Sequence, residues 1–320
     1  MLDKKHAQEA AMRSMKTLIC GLGLSLLLGS QPAQAEDVLI RNRPTMGVGQ
    51  RLEYTDRVLA EAMRRTRHKY GPYRIEWIGG TLARERMLLE MLSGEQFNTT
   101  VIASQPSWEE QLLPIWIPVD MGLSNYRISL THRNAQARIA AVRKLADLKA
   151  LPVGVGAAWS SRKIMEANGF NLVTGESFDP LLKMLMAGRF DYFPRGMNEV
   201  FVEFDARSAD NPDLAIENSM LIEFPLPTYI FVSPKTPRLH QRLREGMEMM
   251  VADGSLQRML IEYHEEMIRR TNFCQRRVFR IENPLLTPGT PLQRKEVWFN
   301  PWDPKSGLCA KPAAARRPGK

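Results

Sequence analysis

Residues 73–103 read YRIEWIGGTLARERMLLEMLSGEQFNTTVIA, and this stretch decides the fold. Tyr73 to Ile78 alternates apolar and polar side chains, the period of a half-buried strand. Leu82 to Leu92 carries apolar residues at helical spacing and stops at Gly94, a helix with its C-terminal signal. Thr99 to Ala103 is a second strand. Upstream, Val38-Leu39-Ile40 reads as a strand, and Leu52, Val58, Leu59, Met63 and Thr66 share one helix face. The order β-α-β-α-β predicts a parallel sheet with helices on both faces.

The same grammar restarts downstream. Pro152 to Gly156 is strand-like, Ser160 to Asn168 helical, Phe178 to Ala187 a second helix closed by Gly188, and Phe190 to Phe193 a strand. Two segments join the halves: Tyr126 to Thr131 leads out, and Thr228 to Ser233 leads back. Leu239, Leu243, Met247 and Met250 then repeat at helical spacing until Asp253-Gly254 breaks the pattern before Leu256. A chain that leaves one half, builds a second and returns makes a hinge of two strands. The expected fold is therefore two doubly wound α/β lobes, with lobe 1 from residues 36–128 and 229–268 and lobe 2 from residues 129–228.

Leu18 to Ser30 is an apolar run preceded by Arg13 and Lys16 and followed by Ala33-Gln34-Ala35. That is the pattern of a cleavable signal peptide over residues 1–35, cut near Ala35, and it places the mature chain in the periplasm. The run is shorter than the roughly 20 residues that span a bilayer, although an uncleaved anchor is the alternative. Removing it leaves Cys274 and Cys309 in an oxidising setting. A disulfide between them is the expectation, with two free thiols as the alternative.

The whole chain of 320 residues carries a formal charge of +9, which on its face points to nucleic acid or a membrane surface. Its distribution removes that reading. Residues 36–268 hold 28 basic and 30 acidic side chains, whereas residues 269–320 hold twelve basic and three acidic. The positive charge belongs to a Pro-rich C-terminal extension whose last ten residues, KPAAARRPGK, have a disordered composition. Val297-Trp298-Phe299 would dock this extension on the lobes; reach to an anionic membrane or partner is the other reading. Nucleic acid is excluded as a partner by compartment and by the near-neutral lobes.

Three segments together resemble the type II periplasmic solute-binding proteins, specifically a divergent subgroup of those like the family 3 amino-acid binders. They are Leu148-Lys149-Ala150-Leu151-Pro152-Val153-Gly154-Val155-Gly156, Leu185-Met186-Ala187-Gly188-Arg189-Phe190-Asp191, and Pro237 through Leu256 with its Asp253-Gly254 turn. The resemblance covers about residues 38–268. It implies two lobes closing on a small-molecule solute and delivery to a membrane permease or sensor; a monomer is expected. It also implies an arginine after the third strand to clamp a ligand carboxylate. Here that stretch is Gln105 to Gln111, with no arginine, so an ordinary α-amino-acid ligand is not expected. The expected ligand is a small polar solute, with an anionic one among the options. The competing function is an interaction or structural module, or an enzyme accessory domain, that keeps this fold.

In open α/β sheets ligands sit beyond the carboxyl ends of strands, against helix N-termini. This selects the turn Arg43 to Gly47, Ser104, Gln105 and Trp108 in lobe 1, and Ala157, Ala158, Trp159, Ser160 and Ser161 in lobe 2. Ser160 or Ser161 would either cap a helix or touch ligand. Arg195 follows a strand directly and would either bind an anionic group bidentately or pair with Glu199 or Asp191. Arg127, on a connecting strand, is a further candidate. Trp108 and Trp159 would stack on a ligand or plug a lobe surface, and Trp77 and Trp116 read as core or hinge packing. Histidines 68, 132, 240 and 264 show no metal-ligand spacing, and no HExxH, GxSxG or phosphate-loop motif occurs. The sequence thus gives no support for an enzyme, a metal or a cofactor.

Overall fold

The structure, a computed structural model, describes residues 36–43, 49–80, 82–306 and 308–309. The expected signal peptide (1–35), most of the turn 43–47 and the final ten residues lie outside the described residues. In chain order the first half holds β1 (Asp37–Arg43), α1 (Gly49–Arg65), α2 (Arg67–Tyr70), β2 (Tyr73–Gly79), α3 (Arg84–Ser93), β3 (Thr99–Ala103), α4 (Pro106–Gln111) and β4 (Leu113–Ile115). There follow β5 (Tyr126–His132), α5 (Gln136–Ala141), α6 (Leu145–Ala150), β6 (Val153–Gly156), α7 (Ser160–Ala167), β7 (Leu172–Gly175) and α8 (Phe178–Met186). Next come β8 (Tyr192–Gly196), α9 (Met197–Arg207), β9 (Leu214–Ile216) and β10 (Met220–Glu223). The chain ends with β11 (Thr228–Val232), α10 (Pro237–Ala252), α11 (Ser255–Tyr263), α12 (Glu265–Thr271) and β12 (Arg277–Arg280).

The strands form two sheets, ordered β2-β1-β3-β11-β4 and β12-β10-β5-β8-β6-β7, with β9 also paired to β5. The chain passes from the first sheet to the second between β4 and β5, and returns between β10 and β11. Both sheets are mixed. The β1–β2, β1–β3, β6–β7 and β6–β8 pairs are parallel, as the α/β alternation predicts, whereas β11 and β5 run antiparallel to their neighbours. That reversal follows from the connections, since strands carrying the chain between sheets enter without a crossover helix.

Local sequence explains the elements that frame the cleft. Helix α3 ends where Gly94 adopts φ 68° and donates its N–H to the Glu90 carbonyl, a left-handed cap that glycine adopts without strain. Helix α10 starts with Pro237 in its first turn and buries Leu239, Leu243, Met247 and Met250 against the first half. Burying four such side chains contributes roughly 1.5–3 kcal/mol each. Arg242 on the same helix is fully buried too. Its guanidinium donates to Asp37 (2.7 Å), Thr66 and the Met63 and Gly71 carbonyls, which ties the start of β1 to α10.

The extension is built into this body. β12 adds parallel to β10, from Met220↔Arg277 to Glu223↔Arg280, and covers an edge of the second sheet. Beyond it, Ile281 N–H and Asn283 Nδ2 donate to the Glu223 and Pro225 carbonyls, gripping the return crossing. Phe299 N–H donates to Met121 O (2.7 Å) and its carbonyl accepts from Tyr126 Oη (2.7 Å), gripping the outward crossing. Val297 and Phe299 are buried, in line with docking through Val297-Trp298-Phe299. Arg294 pairs bidentately with Glu248 of α10 (both 2.9 Å), and Cys274 and Cys309 are joined by a disulfide. At Gly122 (φ 74°) a Cβ would meet the Trp298 ring at 2.6 Å, so only glycine lets the crossing lie under the extension.

Candidate functional site

A cleft of about 430 Å³ lies between the two sheets, beyond the carboxyl ends of β1, β3 and β8. The first sheet contributes Arg41 and Asn42 from β1, Thr100 and Ala103 from β3, and Arg84 from the first turn of α3. The second contributes Arg127 from β5, Arg195 from β8, Ser160 and Ser161 from α7, and Asn198 and Glu199 from α9. Helices α7 and α9 begin at the cleft, so their free N–H groups and positive dipole ends face it. Leu226 and Thr228, on the return crossing and β11, complete the walls.

On the second-sheet wall the charges interlock. Arg195 donates from Nε and Nη2 to Glu203 at 2.7 and 2.5 Å, and Nη2 lies 3.4 Å from Glu199. Glu199 Oε2 accepts the Gly196 N–H at 3.0 Å, capping α9, and lies 3.7 Å from Arg127 Nη1. The Arg195 guanidinium lies 4.2 Å from the Trp159 ring centroid, and Trp159 stacks on Phe193 with planes 5° apart. At Gly156 a Cβ would meet the Trp159 ring at 2.3 Å, so a glycine is needed for the indole to lie there. Burial works against the charge of Arg195, yet Glu199 and Glu203 hold its pKa above the ordinary value. Burial pushes the Glu203 carboxyl up, with Arg195 pulling the other way.

The first-sheet wall is wired differently. Arg41 pairs with Asp56 of α1 and lies 4.8 Å from the Trp77 ring. Arg84 donates to the Ala103 carbonyl at 2.9 Å, to Gln105 Oε1 at 3.1 Å, and across the cleft to Ser160 Oγ at 3.4 Å. Guanidinium groups from both sheets thus converge on one space, geometry suited to carboxylate or phosphate.

Of the residues picked from sequence, Arg195, Trp159, Ser160, Ser161 and Arg127 line the cleft. Trp108 and Ser104 do not. Trp108 is 1% exposed and packs edge-on against Phe231 in a core with Met91, Phe97 and Tyr229, because α4 turns its apolar face inward. Ser104 is close by in sequence, but its hydroxyl donates to Glu109. Ser160 and Ser161 do not cap α7; Trp159 holds that position, and Ser160 instead takes the Arg84 contact. Arg195 pairs with Glu199 and with Glu203, whereas Asp191 pairs with Arg138.

Arg41, Asn42, Arg84 and Asn198 escape the sequence reading, and Glu199 enters it only as a partner of Arg195. Arg84 had a usable signal, because the rule that selects turns after β1 and β3 selects the turn after β2 equally well. Arg41 lies two residues after Leu39 on a buried strand face, where a charge is out of place unless paired.

The architecture is the two-lobed, type II periplasmic-binding-protein fold. It matches the probable amino-acid ABC transporter extracellular-binding protein ytmK from Bacillus subtilis with a TM-score of 0.51 at 12% identity, over 72% of this chain and 97% of that one. An ancestral arginine-binding protein bound to arginine gives 0.48 at 14% identity, over 72% and 99%. A histidine kinase sensor domain with similarity to periplasmic binding proteins gives 0.47 at 16%, over 72% and 96%. At these identities the likeness is one of fold. No protein-family model matches the sequence, and neither does any curated protein.

Proposed function

We propose that this chain is an exported solute-binding protein that captures a small polar solute carrying an anionic group, by closure of two lobes. The observation that carries the proposal is the cleft itself, where Arg41 and Arg84 of one sheet face Arg127 and Arg195 of the other. A solute touching both walls stabilises the closed arrangement over the open one by its differential affinity. The lobes follow the two sheets: β5 (Tyr126–His132) lies wholly in the second and β11 (Thr228–Val232) in the first, so the boundaries fall before Tyr126 and before Thr228 rather than after 128 and 228, and the crossings between the strands form the hinge. Delivery would be to a membrane permease or a sensor. The N-terminal apolar run and the Cys274–Cys309 disulfide support a periplasmic setting. Among the described residues no helix is long and apolar enough to cross a membrane.

A thermal-shift screen of the full chain against amino acids, organic acids, phosphate esters and sugars tests this reading. A saturable rise in melting temperature with at least one anionic solute, reached in Arg84→Gln only at about 10- to 100-fold higher concentration, is expected. A chain whose melting ignores every solute is not such a receptor.

A further inference from the structure

The acids around the cleft are already engaged, and this bears on the solute it takes; the inference rests on the solute-binding reading above. We propose that the ligand is a hydroxylated organic anion, a hydroxy acid rather than an amino acid, with its carboxylate among the guanidinium groups and its hydroxyl donating to Asn42 Oδ1.

An α-ammonium carries a unit positive charge and three donors, and it needs acceptors of opposite charge when desolvated. Among the described residues Glu199 is the one carboxylate lining the cleft. Its Oε2 already takes the Gly196 N–H and faces both Arg195 and Arg127. Behind the walls, Glu203 is held by Arg195 and Asp56 by Arg41. The sequence of residues 44–48 and 81 adds no acidic side chain. An entering ammonium would have to draw Glu199 away from two buried guanidinium groups and a helix N-terminus, in a cleft where four arginines outnumber the three carboxylates Asp56, Glu199 and Glu203. A neutral hydroxyl at the same carbon meets none of that opposition.

Asn42 supplies the second, independent observation. It is 8% exposed, its Nδ2 donates to Gly80 O at 3.0 Å, and its Oδ1 is buried with no hydrogen-bond partner. A buried acceptor left unmet is costly, so a donor arriving with the ligand relieves it. A hydroxyl gives that donor and still accepts from the Ser160, Ser161 or Thr100 hydroxyls that share the walls.

Titration calorimetry on the full chain with three isosteric pairs tests this: lactate against alanine, malate against aspartate, and 2-hydroxyglutarate against glutamate. At least one hydroxy acid should bind about tenfold or more tighter than its amino partner, the discrimination expected when a site rejects one polar group for another. Asn42→Asp should reverse that order by placing a carboxylate where the hydroxyl binds, and Asn42→Ala should weaken the hydroxy acid alone. An amino acid that outbinds its hydroxy partner overturns the hydroxy-acid assignment while solute binding stands. Binding confined to solutes outside the hydroxy acids does the same. An unchanged preference in both Asn42 variants overturns the hydroxyl contact, and a chain that binds no solute at all removes the parent reading and this one with it.

Discussion

The two sheets are joined on two sides by contacts of different character. On the cleft side, Arg84 reaches Ser160 at 3.4 Å, a long polar contact between side chains that also serve other partners. On the other side, the extension grips both crossings through hydrogen bonds of 2.7–3.0 Å to or from its main chain and side chains and through buried Val297 and Phe299, and a disulfide ties the extension to itself. Polar contacts of the first kind contribute little net free energy, since water replaces them on opening. Buried apolar contacts cannot be exchanged in that way. If the lobes close as proposed, the cleft side is the one that can part, and the motion would pivot about the strapped crossings.

The largest effects should therefore come from the strap. Phe299→Ala removes a buried ring that meets Tyr126 and Phe273 edge-on, and should lower unfolding free energy by about 3–5 kcal/mol in a urea melt. An effect below about 1 kcal/mol would show that the extension merely rests on the body. Next, the Cys274–Cys309 bridge spans 35 residues, and by the chain-entropy account Cys274→Ser should cost about 3–4 kcal/mol. Dithiothreitol on the unaltered chain should lower the melting temperature in parallel, and insensitivity to both would contradict a structural bridge.

A pH dependence of comparable size arises behind the outward crossing. His264 is 6% exposed, its ring lies 4.9 Å from Tyr54, and Tyr54 Oη donates to the Val119 carbonyl. Burial pushes the imidazole down to about 4, from 6.5. Because its folded pKa is depressed, the unfolded chain binds the extra proton, so stability is full above about pH 6.5 and is lost as pH falls toward 4. The loss amounts to about 3 kcal/mol and should vanish from the melting curves of His264→Gln, which stays neutral throughout. A slope between pH 4 and 6.5 that the variant retains in full would assign it to other groups.

On the cleft side the expected effects on stability are smallest. Arg84→Gln should leave the unfolding free energy from urea melts within about 0.5 kcal/mol of the unaltered chain, since exposed or half-buried polar exchanges rarely do more. Its effect should fall on binding instead, about 10- to 100-fold in Kd for an anionic solute, the worth of one charge-assisted hydrogen bond.

This division also explains what could be read in the sequence. Strands with clear patterns, such as Thr99–Ala103 and Tyr126–His132, emerged with their boundaries nearly intact, and the two-sheet plan followed. Strands β7, β9, β10 and β12, of three or four residues, are too short for period-two alternation to stand out. They exist because a neighbouring strand offers its edge. The cleft was legible to the level of which turns reach it, not which side chains face it. Trp108 and Trp159 occupy equivalent places in that logic, but α4 turns one into the core while Gly156 lets the other lie against the cleft wall. Asn42 gains its meaning only from neighbours far away in sequence, whereas Arg84 sits in a turn that the strand-end rule could have selected.

Whether the cleft binds a small anionic solute is decided by titrating the full chain with organic acids beside Arg84→Gln. Saturable binding at one site by at least one such acid, weakened at least about tenfold in the variant while its melting curve is preserved, is the predicted result. Absence of binding across the series, or binding that ignores the loss of Arg84, would contradict it.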